Sequence, residues 1–186
     1  PGQYRRPQGW RDFGQVQEGI RVRGGTNRSF RFEKTVWGPV IGGTGKTPKR
    51  ALLWIPHRPG ALGLGLADLN DARSVADALR VAPESGNPVQ NLLVGDRRGN
   101  LAWTLIGRLP KRVGFDGRLP VSFADGSRRW GGWLEASEYP RFEAPAGGRL
   151  WTANNRIAGS PEYLRLGSED TDLGARARQI RDHLLS

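Results

Sequence analysis

Residues 89–112, VQNLLVGDRRGNLAWTLIGRLPKR, constrain the fold most, because they predict a β-hairpin. An apolar strand that contains Leu92–Val94 reaches the turn DRRGN, and a second apolar strand, Leu101–Ile106, returns from it. Glycine and proline, 27 and 13 of the 186 residues, are frequent enough for many turns but below the level of a low-complexity sequence. The chain is therefore expected to consist mainly of short strands joined by tight turns.

A second hairpin is predicted near the beginning of the sequence. Residues 15–23 and 28–41 are the two strands, and Gly24-Gly25 supplies the turn between them. Gly38-Pro39 interrupts the second strand, because proline has no N–H to donate to a neighbouring strand.

Two apolar runs are also predicted as strands, residues 51–57 and residues 149–153. The second run ends in Asn154-Asn155. Asparagine is rare in strands and common in turns, so the pair is expected to end the strand in a turn.

Two helices are indicated by apolar residues at helical spacing. The first covers residues 64–82 and divides into two short helices if Asp71 or Ser74 caps an inner turn. The second covers residues 171–186, and its apolar face contains Leu173, Ala177, Ile180 and Leu184. Strands and two main helices together predict an α+β fold, as one unit or as part of one.

Composition excludes several classes of protein. No run of 18 apolar residues is present, so no membrane-spanning helix is expected. The first residues show no apolar segment typical of a signal peptide. Cysteine is absent, which excludes disulfides and thiolate metal sites within these residues.

The formal net charge is +11, and arginine supplies nearly all of it. A basic balance is compatible with nucleic-acid binding. The arginines are scattered, however, without a run of five and without a basic helix face. A solvated basic surface is therefore the favoured interpretation, and no nucleic-acid partner is predicted.

Several motifs are too incomplete to carry a function. The loop GGTGKT, 42–47, lacks the first glycine of a phosphate-binding loop and is not followed by an apolar helix. His57 and His183 have no ligands spaced for zinc, and Ser160 has no base near it in sequence. The acidic residues near helix starts are interpreted as favourable helix charges rather than paired acids: Asp68, Asp71, Glu169, Asp170 and Asp172.

Asn154-Asn155 permits a second interpretation. A carboxamide NH2 held rigidly at a strand end can donate to an oxyanion that develops during acyl transfer. Arg176 follows 22 positions later on the second helix and is able to return and hold such an asparagine. From spacing alone, a plain turn and a catalytic amide both remain open.

Seven motifs, in order along nearly the whole chain, resemble the β-subunit of penicillin acylases, also called penicillin amidases. They are Gly9-Trp10, FEKTVWGPVI (32–41), VQNLLVGDRRGNLAW (89–103), GRLPKR (107–112), WGGWLEASEYPR (130–141), LWTANNRI (150–157) and ARARQIRDHL (175–184). Each motif is weak alone, but their shared order makes the resemblance specific.

The resemblance implies that residues 1–186 are a single internal segment of an N-terminal nucleophile (Ntn) hydrolase β-chain, within a four-layer αββα sandwich. It implies hydrolysis of a linear amide in a small N-acyl substrate, through an acyl-enzyme on an upstream N-terminal serine. The partners would be the rest of the β-chain and the α-chain of one precursor, located in the periplasm or secreted. Without that serine, the segment alone is expected to be inactive.

Carried over by position, Asn154 matches the oxyanion-hole asparagine, and Arg176 matches the arginine that orients the site. Asn155 is the weaker candidate for the oxyanion role.

Two departures from the family pattern stand out, since Trp37 and Ala175 replace a histidine and a tyrosine. Calcium is possible in the parent protein, but Leu164-Arg165-Leu166 offer no carboxylate, so no metal ligand or cofactor is expected from this segment. The alternatives are a catalytically inactive relative and a basic, strand-rich module that binds nucleic acid or another polyanion.

Overall fold

A computed structural model describes residues 2–43, 45–145, 147–157, 159, 165–167 and 171–186. The strands are β1 (Gln3–Arg6), β2 (Gly9–Asp12), β3 (Gly14–Ile20), β4 (Arg28–Lys34), β5 (Val40–Gly42), β6 (Arg50–Ala51), β7 (Gln90–Gly95), β8 (Leu101–Ile106), β9 (Pro110–Val113), β10 (Arg129–Trp133) and β11 (Phe142–Glu143). The described α-helices are α1 (Val75–Val81) and α2 (Ala175–Leu185), and short 3-10 helices cover Ile55–His57, Gly65–Asp71, Ala82–Glu84 and Ala136–Glu138. This is the predicted α+β composition. No helix in the described ranges has the length and apolar character needed to cross a membrane.

The strands pair as antiparallel neighbours, four pairs and one three-stranded sheet in the described ranges. The predicted hairpin of residues 89–112 is confirmed as β7 and β8, which pair from Gln90↔Ile106 to Gly95↔Leu101. Its turn is held by Asp96, whose carboxylate accepts hydrogen bonds from the backbone of Arg98 and Asn100 at 2.9 and 3.2 Å. Strand β11 pairs with the other edge of β8.

The second predicted hairpin is also confirmed. Strands β3 and β4 pair over their full length, and β4 ends at Lys34, before the predicted break. At that break Gly38 has a φ of 149°, and a Cβ there would overlap the backbone oxygen of Leu52. Glycine is therefore required where the two chain segments approach each other.

The prediction of a strand over residues 51–57 is wrong. Strand β6 ends at Ala51, and the chain then forms the 3-10 helix Ile55–His57, in whose first turn Pro56 lies. Proline lacks the N–H that a strand needs, and its fixed φ suits the start of a helical turn.

The predicted helix over residues 64–82 divides into two, as Ser74 allows. A 3-10 helix, Gly65–Asp71, precedes α1, and Ser74 caps α1 by accepting a hydrogen bond from the N–H of Asp77 at 3.2 Å. The Asp77 carboxylate accepts from the Ser74 hydroxyl in return, at 2.8 Å. The buried face of α1 carries Val75, Ala78 and Val81.

The hydrophobic core next to the site consists of Trp103, Leu105, Leu109 and Tyr139. Residues 114–145 contain the short strands β10 and β11 as well as loops. The hydroxyl of Tyr139 donates to the backbone oxygen of Gly107 at 2.8 Å and accepts from the N–H of Leu109 at 2.9 Å. These two hydrogen bonds fix the segment between β8 and β9, and Leu109 of that segment lines the site.

Candidate functional site

The Asn154-Asn155 turn forms without the predicted strand before it. Residues 149–152 have no regular secondary structure, and residues 153 and 154 form a bend. The Asn155 side chain accepts a hydrogen bond from the N–H of Ala153 and donates one to the backbone oxygen of Arg156, both at 3.1 Å. Because a side chain takes up the Ala153 N–H, that group is not available to a strand neighbour.

Asn154 has an unusual backbone conformation. Its φ of 63° is the one positive value outside glycine in the part of the chain that the structure describes. Asparagine tolerates this left-handed conformation better than most residues do. The left-handed conformation therefore places a chain reversal at Asn154.

The structure brings the two predicted site residues together. Helix α2 begins at Ala175 after Gly174, which has a φ of 85°. Arg176, in the first turn of α2, donates from Nη2 to Oδ1 of Asn154 and to the backbone oxygen of Ala153, both at 3.1 Å. The side-chain interaction that the sequence could only suggest is therefore present.

This contact determines which way the Asn154 carboxamide faces. A guanidinium group only donates hydrogen bonds, so the amide oxygen must face Arg176 and the NH2 must face the other way. Within the described ranges no group accepts a hydrogen bond from that NH2. The arrangement therefore presents two N–H donors of fixed direction, which is the chemistry that stabilises negative charge on an attacked carbonyl oxygen.

Asp172 completes the arrangement, and sequence reasoning missed it as a site residue. Its N–H donates to the backbone oxygen of Asn154 at 2.9 Å, and its Oδ2 accepts from Nε and Nη2 of Arg176 at 2.9 and 2.6 Å. Hydrogen bonds from Arg176 and from the N–H of Leu173 lower the pKa of the Asp172 carboxyl. Its position four residues before Arg176 is a signal for a helical ion pair, although it gave no hint of the contact with Asn154. We call Ala153, Asn154, Asp172 and Arg176 the arginine network.

A cavity of about 480 Å³ lies beside the Asn-Asn turn. Its wall combines apolar and polar groups in similar proportion, and Asn154 is one of the polar residues. The lining residues are Ile55, Val89, Gln90, Asn91, Trp103, Leu105, Leu109, Thr152, Ala153, Asn154, Asn155, Ile157, Leu166 and Thr171. The volume of the cavity lies within the range of small-molecule sites, which combine apolar walls with polar groups that fix orientation.

Two polar side chains of this wall differ in what they contact. The Oδ1 of Asn91 accepts from Nε1 of Trp103 at 2.9 Å, which ties the start of the motif VQNLLVGDRRGNLAW (89–103) to the core. The hydroxyl of Thr152 is buried and has no hydrogen-bond partner in the part that the structure describes.

Arg112, the last residue of the GRLPKR motif, holds the segment that contains Leu166, one of the residues that line the cavity. It donates to the backbone oxygens of Arg165 and Leu166 at 2.8 and 3.1 Å, and burial lowers its pKa. A Cβ at Gly167 would overlap its guanidinium. The motif is thus structural here, and it fixes residues 165–167 next to the cavity.

The other sequence candidates do not form sites in the described ranges. The loop at 42–47 leads into β6, not into a helix, so no helix N-terminus is available for a phosphate. His57 packs edge-on against Trp54, with ring centroids 5.1 Å apart. No group of three or more His, Asp or Glu side chains that could hold a metal ion occurs among the described residues.

Three residues singled out in the sequence remain to be placed, Ser160, Leu164 and Trp37. Ser160 and Leu164 lie outside the described residues. Trp37, which replaces the family histidine, packs edge-on against Tyr4 and Phe123 with centroid distances of 5.6 and 5.9 Å.

Comparison with known proteins gives consistent results. A family model described as penicillin amidase matches residues 1–186. The penicillin acylase 2 proenzyme of Pseudomonas sp. (strain SE83) is 30% identical over 195 residues, which cover 97% of this chain and 23% of that protein. The acyl-homoserine lactone acylase QuiP of Pseudomonas fluorescens (strain Pf0-1) is 33% identical over 90 residues, 48% of this chain and 11% of that protein.

The same likeness appears in three dimensions. The structure of a thermostable penicillin G acylase from Alcaligenes faecalis matches with a TM-score of 0.74 and 26% sequence identity. The match covers 100% of this chain and 34% of that one. The matched regions therefore span about a tenth to a third of the length of these relatives.

Proposed function

This chain belongs to the penicillin amidase family, and from that membership we propose that its parent protein hydrolyses the amide bond of a small N-acyl compound. The relatives are named as acylases of penicillin and of acyl-homoserine lactone. Both of those compounds carry an acyl group on nitrogen, so a linear amide is the bond that they share. We assign residues 1–186 to an αββα Ntn-hydrolase sandwich on the same ground.

The proposed reaction uses a serine at the N-terminus of the mature β-chain, outside residues 1–186. The α-amine of that serine, with an ordinary pKa near 8, takes the hydroxyl proton. The serine oxygen then attacks the amide carbonyl, and the carbonyl oxygen becomes negatively charged. Collapse of this intermediate releases the amine, and water hydrolyses the acyl-enzyme.

Asn154 is assigned to the oxyanion in this scheme. The observation that carries the assignment is the hydrogen bond from Arg176 to Oδ1 of Asn154, because it leaves the NH2 free to donate. Asn155 is less suitable, since both ends of its amide are engaged with the neighbouring backbone. The cavity beside Asn154 is large enough for part of a small acyl substrate.

Several parts of the proposal concern the parent protein. The partners are the remaining β-chain and the α-chain of one precursor, which agrees with a relative that is named a proenzyme. We propose export to the periplasm or beyond, no cofactor from residues 1–186, and no nucleic-acid or membrane partner. Residues 1–186 alone are proposed to be inactive, because the nucleophile is not among them.

The test is Asn154→Ala in the full-length, matured protein. Removal of one oxyanion donor costs about 100- to 1,000-fold in kcat in acyl-transfer enzymes. We expect that loss with KM within about twofold, because the donor acts on charge that exists only in the transition state. Release of the acyl product from penicillin G and from an N-acyl-homoserine lactone is the measurement.

Asn70→Ala is the matched control, since Asn70 is exposed on the 3-10 helix Gly65–Asp71. It should have wild-type kinetics. An Asn154→Ala enzyme as fast as the wild type would disprove the assigned role. A wild-type protein that matures into two chains with an N-terminal serine and still hydrolyses no N-acyl amide would identify an inactive relative.

A further inference from the structure

We propose that Asp172 is a positioning residue, which sets the direction of the Asn154 amide by holding Arg176. This inference rests on the proposed function, since it adds a residue to the same site. It assigns Asp172 a role that neither its sequence position nor its place before α2 suggests. The role is exerted through Arg176, and Asp172 itself does not contact the substrate.

The first support is that Asp172 reaches Asn154 by two routes. Its N–H holds the backbone oxygen of Asn154 at 2.9 Å, and Asn155 and Asp172 form a parallel β-bridge. Its carboxylate holds Arg176, which in turn holds the Asn154 side chain. Backbone and side chain of one asparagine are thus both tied to Asp172.

The second support is the geometry of the guanidinium group. One carboxylate oxygen of Asp172 accepts from two nitrogens of Arg176, Nε and Nη2, which fixes the plane of the group. Nη2 is also the nitrogen that donates to Oδ1 of Asn154. The plane that Asp172 sets therefore determines where the amide oxygen is held.

The third support is that Asp172 is the charged partner of Arg176, whose contacts with Ala153 and Asn154 go to neutral oxygens. The Arg176 side chain is 61% exposed, and in the described ranges Asp172 is the acidic group that pairs with it. An exposed arginine that loses its carboxylate regains many rotamers. The Asn154 amide would then lose its fixed hydrogen-bond partner and could turn its oxygen toward the substrate.

The alternative role for Asp172 is purely structural, as a favourable charge before the first turn of α2. Its Oδ1 accepts from the N–H of Leu173 at 2.9 Å, which fits that role too. A structural charge would change stability, and its effect on the reaction would not depend on Asn154. A positioning residue acts only while the Asn154 amide is present.

The experiment is a double-mutant cycle with Asp172→Asn and Asn154→Ala in the full-length, matured protein. We expect Asp172→Asn to lower kcat about 3- to 10-fold with KM within about twofold, below the roughly 100-fold that an ångström of misplacement can cost. In the Asn154→Ala background it should lower kcat no further. Asp182→Asn is the matched control, because Asp182 pairs with Arg178 four residues away on the same helix, at 3.8 Å.

The possible results separate the role of Asp172 from the role of Asn154. Equal losses of kcat from Asp172→Asn in both backgrounds would overturn the inference and leave the role of Asn154 intact. Wild-type kcat in Asp172→Asn, or the same loss in Asp182→Asn, would overturn it as well. If Asn154→Ala itself were silent, the proposed function would fail, and the role of Asp172 would fail with it.

Discussion

Replacement of Arg176 separates two effects that the arginine network combines, orientation of an amide and supply of a positive charge. Arg176→Ala removes both, whereas Arg176→Lys keeps the charge. Lysine has no planar fork, so it cannot hold the Asp172 carboxylate with two nitrogens and Asn154 at once. The pair of variants therefore reports on each effect.

The orientation effect is small by itself. A hydrogen bond from a charged donor contributes about 1.5–3 kcal/mol, which keeps the productive amide orientation above about 90% populated. Without it the two orientations of Asn154 approach equal populations, and the rate falls about twofold. Looser positioning of the donor adds to this loss.

The charge effect depends on solvent. With hydrogen bonds of ordinary length, the guanidinium lies roughly 8 Å from an oxyanion bound to the Asn154 NH2. Coulomb's law gives about 2 kcal/mol at an effective dielectric of about 20 and about 0.5 kcal/mol in water. Because the Arg176 side chain is 61% exposed, the true value lies between these limits. The two effects together predict that Arg176→Ala lowers kcat about 5- to 60-fold.

Arg176→Lys should then lower kcat only about 2- to 5-fold, with KM within about twofold for both variants. Steady-state kinetics of amide hydrolysis by the full-length, matured protein, at low and at high salt, is the assay. High salt should narrow the gap between the two variants, since it screens the charge effect but not orientation. A kcat for Arg176→Ala within twofold of wild type, or a loss confined to KM, would refute this account of the arginine network.

Three further predictions concern the scaffold, at Tyr139 next to the site and at Asp96 in the β7–β8 turn. Tyr139→Phe should destabilise the protein by about 2–4 kcal/mol in chemical denaturation, because the buried Gly107 oxygen and Leu109 N–H each lose a partner; an unchanged denaturation midpoint would contradict this. Burial raises the pKa of Tyr139 to about 12. The stability that Tyr139 contributes should therefore be complete below about pH 10 and be lost as pH rises through about 12. Phenolate absorbance, compared with that of Tyr139→Phe, would show the ionisation of Tyr139 that causes this loss. Hydrogen bonds, that from Asn100 foremost, lower the pKa of Asp96, so its stabilisation should be present above about pH 4 and be lost as pH falls through the lower folded value. Asp96→Asn should remove that part of the acid dependence, and an identical acid-unfolding curve would count against it.

Much of the secondary structure was predictable because its causes are local. The β7–β8 hairpin follows from two apolar strands around a turn in which Asp96 accepts nearby backbone N–H groups. The start of α1 follows from Ser74 and Asp77, which satisfy each other's groups three residues apart. Such patterns act within one turn or one hairpin, so the sequence alone determines them.

The wrong strand predictions have physical reasons that the apolar pattern does not contain. Residues 51–57 and 149–153 are apolar enough for strands, but a strand also needs neighbours for its backbone groups. Pro56 starts a 3-10 turn in the first segment, and the Asn155 side chain takes the Ala153 N–H at the end of the second. The apolar pattern alone could not predict these hydrogen-bond partners.

The sequence by itself determined the family, the helix that carries Arg176 and the two asparagines that end a segment. Only the tertiary structure decided that Arg176 faces Asn154 and that Asp172 holds them both. The reason is that these contacts join residues up to 22 positions apart through a β-bridge and a helix start. Spacing along the chain leaves such a meeting open, since it depends on how the intervening residues return over the core.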